Sequence, residues 1–159
     1  MMQRIGHGFD AHQLLLGRPL VLGGVRVPFD HGPVGHSDGD VLAHALADAL
    51  LGACALGDLG EHFPSSDPRW LNADSLELLA RCVEMIRERG FEVGNIDATI
   101  VLEHPRLAPY LPVMRDRLAE VLGVDRGAVS IKAKTTDGMG YTGDGTGIAA
   151  YAVATVQTR

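Results

Sequence analysis

The segment "RIGHGFDAHQL", residues 4–14, constrains the fold most, because its residue types alternate as those of a β-strand do. One face of an extended chain here would carry two small residues and then two metal-capable ones: Gly6, Gly8, Asp10 and His12. The opposite face would be mostly apolar: Ile5, His7, Phe9 and Ala11. We therefore expect a strand with bare backbone and a polar site on one side and an apolar surface on the other.

Length and charge restrict the class of protein. The 159 residues, 46% of them hydrophobic, are enough for one domain over residues 1–159 with a real core. The net charge of −6 argues against nucleic acid or an anionic membrane as a partner attracted by bulk charge. If the substrate is an anion, local cations must attract it, and bound metal ions are the obvious source.

The absence of an apparent targeting signal and the positions of the two cysteines both indicate the same compartment. The start "MMQRIGHGFD" has no long apolar core, so we expect no secretory signal. The most apolar segment, "VLAHALADALLGACALG", is short and is interrupted by His44 and Asp48, so no membrane span is expected. Cys54 and Cys82 fall in apolar helical stretches, which favours buried free thiols in a reducing compartment. A cytoplasmic location is the prediction.

The pattern of the remaining chain predicts an α+β domain, a mixed β-sheet with helices packed on one face. Gly23-Gly24 marks a hairpin of short strands. Helices are expected over residues 40–55, 73–90 and 107–123, and strands over 91–103 and at both ends of 129–158, where a glycine-rich loop joins them. Residues 58–75 form a long loop, which in a compact domain is often functional.

The last strand, "GIAAYAVATV", has small and apolar residues at both parities, so neither face is clearly designed for water. The chain has too few helices to cover both faces of the sheet. We infer a homo-oligomer packed sheet against sheet, with a three-layer monomer as the alternative.

A metal site is predicted from two segments. Asp40, His44 and Asp48 recur every four residues and share one face of the first helix. Together with Asp10 and His12, His44 completes two imidazoles and one carboxylate, a set that binds zinc and leaves a fourth position open. Asp48 could orient the ring of His44. The alternatives are a buried structural histidine at His44 and a polar strand edge at Asp10 and His12.

Two further segments suit an anion. "GHSDGD" places His36 and Ser37 at the start of a helix, where backbone amides favour phosphate, although Ser37 or Asp38 could simply cap that helix. "KAKTTDGMG" offers the hydroxyls of Thr135 and Thr136 and the carboxylate of Asp137, which suit a phosphate and a hard divalent ion.

Four stretches together resemble the 2-C-methyl-D-erythritol 2,4-cyclodiphosphate synthases, in order over essentially the whole chain: "GHGFDAHQL", "GHSDGDVLAHALADALLGACALGDLGEHFP", "DATIVLEHPRLAPYLPVMR" and "IKAKTTDGMGYTGDGTGIA". The resemblance implies a homotrimer with sites between neighbouring subunits. It implies a lyase of the non-mevalonate isoprenoid route that cyclises 4-diphosphocytidyl-2-C-methyl-D-erythritol 2-phosphate and releases CMP.

The resemblance also implies roles for individual residues. It assigns Asp10, His12 and His44 to Zn²⁺, and Asp137 to a second ion, Mg²⁺ or Mn²⁺, on the substrate diphosphate. His36 and Thr135 would stabilise the transition state. The remaining residues implied to contact substrate are Ser37, Asp58, Leu59, Gly60, Phe63, Asp67, Leu102, Pro105, Arg106, Leu107, Ala133, Lys134, Thr136 and Tyr141. The cytidine would lie against the neighbouring subunit, around residues 102–108 and 133–137.

This chain departs from the pattern of that family at several positions. Asp137 stands for a glutamate and Lys134 for a threonine, so direct coordination by Asp137 is in doubt and a cation is added beside the diphosphate. Ser65 stands for a common aspartate, and Arg106 for a lysine. Asp144 stands where many relatives carry an arginine that lines the trimer axis, so we expect no binding of prenyl diphosphates there.

Two other functions would use the same residues. A zinc-dependent hydrolase acting on a phosphate or an amide would need the same metal ligands. A nucleotide-binding trimer without activity is the third possibility, although the complete ligand set does not favour it.

Overall fold

The computed structural model describes residues 1–159 and contains seven strands and five helices. The strands are β1 (Gln3–Leu16), β2 (Leu20–Leu22), β3 (Val25–Val27), β4 (His31–Pro33), β5 (Phe91–Val101), β6 (Val129–Lys134) and β7 (Gly147–Thr158). The helices are α1 (Val41–Ala53), α2 (Leu59–His62), α3 (Ser75–Glu88), α4 (Leu111–Leu122) and α5 (Gly140–Gly143). Short 3₁₀ turns lie at 68–70, 108–110 and 126–128.

Five strands form one mixed sheet in the order β4-β1-β7-β5-β6. All neighbours are antiparallel except β5 and β6, which are parallel. The longest pairing joins β1 to β7, from Gln3 opposite Gln157 to Gln13 opposite Gly147. The predicted hairpin around Gly23-Gly24 forms as β2 and β3, which make a separate two-stranded sheet. The predicted α+β class is confirmed.

Helix α1 lies directly on β1, and the two glycines of that strand explain how. A Cβ atom on Gly6 would lie 1.7 Å from the carbonyl oxygen of Ala49, and one on Gly8 would lie 1.8 Å from that of Ala45. Neither distance is compatible with a side chain, so only glycine allows the helix backbone to approach this closely. The alternation read from the sequence is therefore confirmed, and it places Asp10 and His12 on the helix side.

The opposite face of the sheet is open in a single chain. Ile5 is 71% exposed, Phe9 44%, Tyr151 46% and Val153 41%. These side chains lie on neighbouring strands, and the rings of Phe9 and Tyr151 are 5.0 Å apart. The result is a contiguous apolar surface, of the kind that monomeric proteins rarely leave in water.

Local chemistry explains where the elements differ from the predicted boundaries. The predicted loop 58–75 contains α2 and a 3₁₀ turn, because Asp58 and Asp67 accept hydrogen bonds from the backbone of the residues that follow them. The helix predicted over 107–123 begins only at Leu111, after the 3₁₀ turn at 108–110.

The prediction of buried free thiols is supported. Cys54 and Cys82 are buried free thiols, and burial raises the pKa of Cys82 to about 12. None of the five helices combines the length and the apolarity that a membrane crossing requires.

Candidate metal centre and substrate cavity

Asp10, His12 and His44 come together at the junction of β1 and α1, as predicted. Their potential ligand atoms all lie within 4.8 Å of one another. Oδ2 of Asp10 is 2.8 Å from Nε2 of His12 and 3.0 Å from Nδ1 of His44, and the two rings are arranged edge to face. Two imidazole nitrogens thus converge on one carboxylate oxygen, the donor set that zinc prefers.

The hydrogen bonding of this cluster tests whether a cation fits it. Nε2 of His12 is buried and has no hydrogen-bond partner, although it lies close to Asp10. A buried polar atom without a partner is costly in a folded protein. An ion held between the three side chains would satisfy this atom, so the donor set fits a divalent metal.

Electrostatics favour the ionised carboxylate. Burial by itself raises the pKa of Asp10, but the two imidazoles close to its carboxylate, those of His12 and His44, bring that pKa down to about 2. Burial by itself lowers the pKa of His44, but the nearby Asp10 raises it above its ordinary value. The carboxylate of Asp10 therefore stays ionised at neutral pH, the form in which it can bind a cation.

The other ring nitrogen of His44 faces two serines. Nε2 lies 2.8 Å from Oγ of Ser75 and 3.1 Å from Oγ of Ser37. Ser75 is the first residue of α3, and its hydroxyl donates to the carboxylate of Asp38. Nδ1 of His44 therefore faces the carboxylate of Asp10, and Nε2 faces the hydroxyls of Ser75 and Ser37.

The predicted role of Asp48 is wrong. Its carboxylate accepts a hydrogen bond from the backbone N–H of Leu59 at 2.7 Å and makes none with His44. The reason is that α2 follows α1 closely and presents an unpaired backbone amide to Asp48. Asp48 thus anchors α2, and the hydroxyl nearest to Nε2 of His44 is that of Ser75.

A cavity of about 400 Å³ opens beside the metal ligands. Its lining includes most of the residues predicted for the non-nucleotide part of the substrate: His36, Ser37, Leu59, Gly60 and Phe63. Ser65, one of the residues that depart from the family pattern, lies in the same wall. His36 is fixed there because its Nε2 donates to the carbonyl of Asp67 at 3.0 Å.

Two predicted substrate contacts lie outside the lining. Asp58 is exposed at the start of α2, where Oδ1 accepts from Glu61 N at 2.9 Å. The carboxylate of Asp67 is paired with the guanidinium of Arg69 at 2.7 Å, and this contact lowers its pKa. The structure therefore places Asp58 at the edge of the cavity and gives Asp67 a partner within the chain.

The residues predicted to contact the cytidine form a second cavity of about 270 Å³. Its lining includes Leu102, Pro105, Arg106, Leu107, Ala133, Lys134 and Thr135. On one chain this cavity shares no lining residue with the cavity beside the metal ligands.

The loop after β6 carries the remaining predicted residues. Oγ1 of Thr136 donates to the carbonyl of Met139 at 2.7 Å, and Oγ1 of Thr135 donates to Asp137 at 3.3 Å. Asp137 has a φ of 51° and does not join the metal cluster. Tyr141 lines a third cavity together with His12.

The sequence analysis missed two residues of the site. Ser75 contacts His44 across 31 positions, and no spacing rule indicates such a contact. Trp70 lines the cavity beside the metal ligands, packs edge to face on Phe63, and buries an indole N–H that has no partner. Since it is the only tryptophan in the chain, composition could have drawn attention to it.

The comparisons with known proteins agree with this geometry. A sequence profile of the YgbB family matches residues 3–157. The chain belongs to the YgbB family. The cyclodiphosphate synthase of Thermosynechococcus vestitus is 57% identical over 158 residues, which cover 99% of this chain and 98% of that protein. The predicted resemblance is thereby confirmed for this YgbB family member.

Solved structures of similar proteins match along the whole chain. The bifunctional IspDF of Campylobacter jejuni has a TM-score of 0.96 at 39% identity and covers 99% of this chain and 43% of the longer one. A CDP-bound 2C-methyl-D-erythritol-2,4-cyclodiphosphate synthase has a TM-score of 0.90 at 35% identity and covers 97% of this chain and all of the other. The YgbB fold found here is therefore shared with enzymes of that name.

Proposed function

We propose that the protein converts 4-diphosphocytidyl-2-C-methyl-D-erythritol 2-phosphate into 2-C-methyl-D-erythritol 2,4-cyclodiphosphate and CMP. An oxygen of the 2-phosphate attacks the β-phosphorus, a new P–O bond forms, and the bond from that phosphorus to the bridging oxygen of CMP breaks. The nucleophile is already ionised and is tethered to the electrophile, so the protein needs neither a strong base nor a covalent intermediate.

The observation that carries this proposal is the unpartnered Nε2 of His12 within 2.8 Å of Asp10, beside a cavity large enough for a sugar phosphate. Asp10, His12 and His44 would hold Zn²⁺ or a similar ion with its open position toward the cavity. When bound, such an ion acts as a Lewis acid on a phosphoryl oxygen. With a net charge of −6, the overall field of the chain does not attract an anionic substrate, so local cations must do so.

The residues around the cavity would orient the substrate. Ser37 and His36 line the wall next to His44, where the hydroxyl of Ser37 can donate a hydrogen bond to a phosphate oxygen and the ring of His36 would lie beside the phosphates. Leu59 and Gly60 present the backbone at the start of α2, with Asp58 beside them for the substrate hydroxyls. Phe63 and Trp70 supply an apolar wall that keeps water out.

We infer that the active site is completed by a neighbouring chain in a homotrimer. The cavity at 102–108 and 133–135 would bind the cytidine, and a similar solved structure is a CDP-bound form. That cavity is separate from the metal ligands on a single chain. The open apolar face around Phe9 and Tyr151 provides the surface through which chains would associate.

A second divalent ion would bind with the substrate diphosphate near Asp137. The carboxylate of Asp137 and the hydroxyl of Thr135 lie 3.3 Å apart on the loop that follows β6. Oxygen ligands of this kind suit Mg²⁺ or Mn²⁺. Lys134, in the lining of the proposed cytidine cavity, adds a positive charge close by along the chain.

The decisive experiment incubates the zinc-loaded protein with the cytidyl substrate and Mg²⁺ and follows the products by ³¹P NMR. A cyclic diphosphate together with CMP supports the proposal. Linear hydrolysis products would instead identify a zinc hydrolase, and unchanged substrate would indicate a binding protein without activity.

A further inference from the structure

Ser75 is buried in the interior of the site and does not reach the cavity. It is 1% exposed and absent from the cavity lining, although its Oγ lies 2.8 Å from Nε2 of His44. Its contribution to the site must therefore pass through His44 rather than through direct contact with a ligand.

The direction of this hydrogen bond follows from the partners of Ser75. The hydroxyl proton of Ser75 is donated to Oδ1 of Asp38. The Asp38 carboxylate is itself fixed, since Oδ1 accepts from Asp40 N at 3.1 Å and Oδ2 from Ser75 N at 3.0 Å. Only lone pairs of Ser75 Oγ remain for His44, so Nε2 of His44 must be the donor.

We propose that Ser75, held by Asp38, is a positioning residue that fixes the His44 tautomer and thereby sets the affinity of the site for its divalent ion. With the proton on Nε2, the lone pair of Nδ1 points toward Asp10 and the ion. Hydrogen bonds of this kind to the outer nitrogen of a ligating histidine orient the ring and raise its basicity. The inference relies on the metal site of the proposed function, but not on the reaction.

Ser37 has a different task, although it faces the same nitrogen. Its Oγ is 3.1 Å from Nε2 of His44, farther than that of Ser75, and it lines the cavity. No carboxylate fixes its proton, and its weak backbone contact is with Gly39 N at 3.4 Å. The hydroxyl of Ser37 thus remains available to a substrate, while Ser75 holds the ring.

The test measures zinc affinity by competition with a chromophoric chelator, without substrate. Ser75→Ala should bind zinc roughly 10- to 100-fold more weakly than the wild type. Ser37→Ala and the matched control Ser66→Ala, an exposed serine in the same cavity wall, should bind zinc as the wild type does. Unchanged affinity in Ser75→Ala, or a larger loss in Ser37→Ala, would overturn the proposal.

Two further readouts separate positioning from folding. Cobalt bound to Ser75→Ala should show shifted d–d absorption bands, because a reoriented His44 changes the ligand geometry; bands identical to the wild type would count against the proposal. Asp38→Ala should weaken zinc binding in the same direction, and the double variant should lose no more than Ser75→Ala, since the two residues act as a unit. Additive losses would contradict this coupling.

A direct measurement on the wild type covers the case in which Ser75→Ala does not fold. Two-bond ¹H–¹⁵N correlation spectra of the zinc-loaded protein should show His44 protonated at Nε2 and ligated at Nδ1. Ligation at Nε2 would refute the proposal. None of these measurements uses the cyclisation reaction. A failure of the proposed reaction would therefore leave their outcome unchanged, and a failure of this proposal would leave the proposed reaction unchanged.

Discussion

Nε2 of His12 lies 2.8 Å from Oδ2 of Asp10 and still makes no hydrogen bond. Two polar atoms this close, with no proton placed between them, have the arrangement of two ligands that share a cation. The third ligand, Nδ1 of His44, lies 3.0 Å from the same carboxylate oxygen. The geometry of this trio is the basis of the first prediction.

Removing one ligand should empty the metal centre without dissociating the proposed trimer. In His44→Ala we expect zinc content near zero and at least about a 100-fold loss of turnover, since Lewis-acid stabilisation contributes several kcal/mol. Metal analysis and size-exclusion chromatography measure the two effects. His31→Ala, at an exposed histidine paired with Asp30, is the control and should retain both. Full turnover of His44→Ala after dialysis against a chelator would refute the ligand assignment.

The close approach of α1 to β1 should not tolerate a methyl group. In Gly8→Ala the new Cβ would meet the carbonyl of Ala45, so the helix must move away and carry His44 from Asp10. We expect a loss of about 1–3 kcal/mol or more in the free energy of unfolding, together with weaker zinc binding. Gly127→Ala, which meets nothing within 4 Å, is the control. Equal urea midpoints for the two variants would contradict this account.

Asp40 should make the metal-free protein less stable as pH rises from 4 to 6. Its fully buried carboxyl accepts from the amides of Gly23, Gly24 and Ala43, but burial outweighs these bonds and raises its pKa to about 6. The native state then binds more protons than the unfolded state in this window, so the free energy of unfolding falls, by on the order of 1–3 kcal/mol.

Urea denaturation across this pH range measures the effect, with Asp40→Asn as the reference because it removes the titration. The difference in stability between wild type and variant should therefore change from pH 4 to pH 6. Parallel curves for the two proteins would show that Asp40 does not titrate there.

The open sheet face should control assembly. In Phe9→Glu a carboxylate replaces a ring that packs against Tyr151, so association would bury an unpaired charge. We expect a monomer by light scattering that still binds zinc but has lost turnover, since the proposed active site is completed by a neighbouring chain. Phe9→Leu keeps the surface apolar and should remain assembled. A trimeric Phe9→Glu would show that another surface joins the chains.

Asp144 should exclude prenyl diphosphates from the axis of the proposed trimer. Its carboxylate accepts from N and Oγ1 of Thr146 at 2.9 and 2.7 Å, contacts that lower its pKa and keep it ionised. Three such charges would repel a diphosphate. Calorimetry with geranyl diphosphate should detect no binding, whereas Asp144→Arg should gain it. Saturable binding to the wild type that an axial substitution abolishes would refute the prediction.

The sequence predicted best those residues whose position depends only on the local periodicity of a strand or a helix. Alternation along β1 and the spacing of the first helix predicted the three metal ligands. The same spacing misled at Asp48, which was predicted to orient His44 but has another partner. Asp40 binds the amides of the β2–β3 hairpin, and Asp48 binds Leu59 N. Helical periodicity determines which face a side chain occupies, but not the neighbour that packs there.

The order of the strands in the sheet could not be predicted from local sequence patterns either. The chain predicts strands, but nothing in β7 indicates that it inserts between β1 and β5. Ser75 belongs to the same class, because its contact with His44 exists only after α3 has packed beside α1. Resemblance to a family supplied roles for residues around the cavity that spacing alone could not have supplied.

The bare strand backbone beneath α1 has a consequence for how the protein can evolve. Helix and strand touch through main-chain atoms at Gly6 and Gly8, so no replaceable side chain lies between them at these points. Replacing leucines elsewhere in the core should therefore change the distance between α1 and β1 very little. The positions of the metal ligands Asp10 and His44 can therefore be kept while the sequence of the rest of the domain changes.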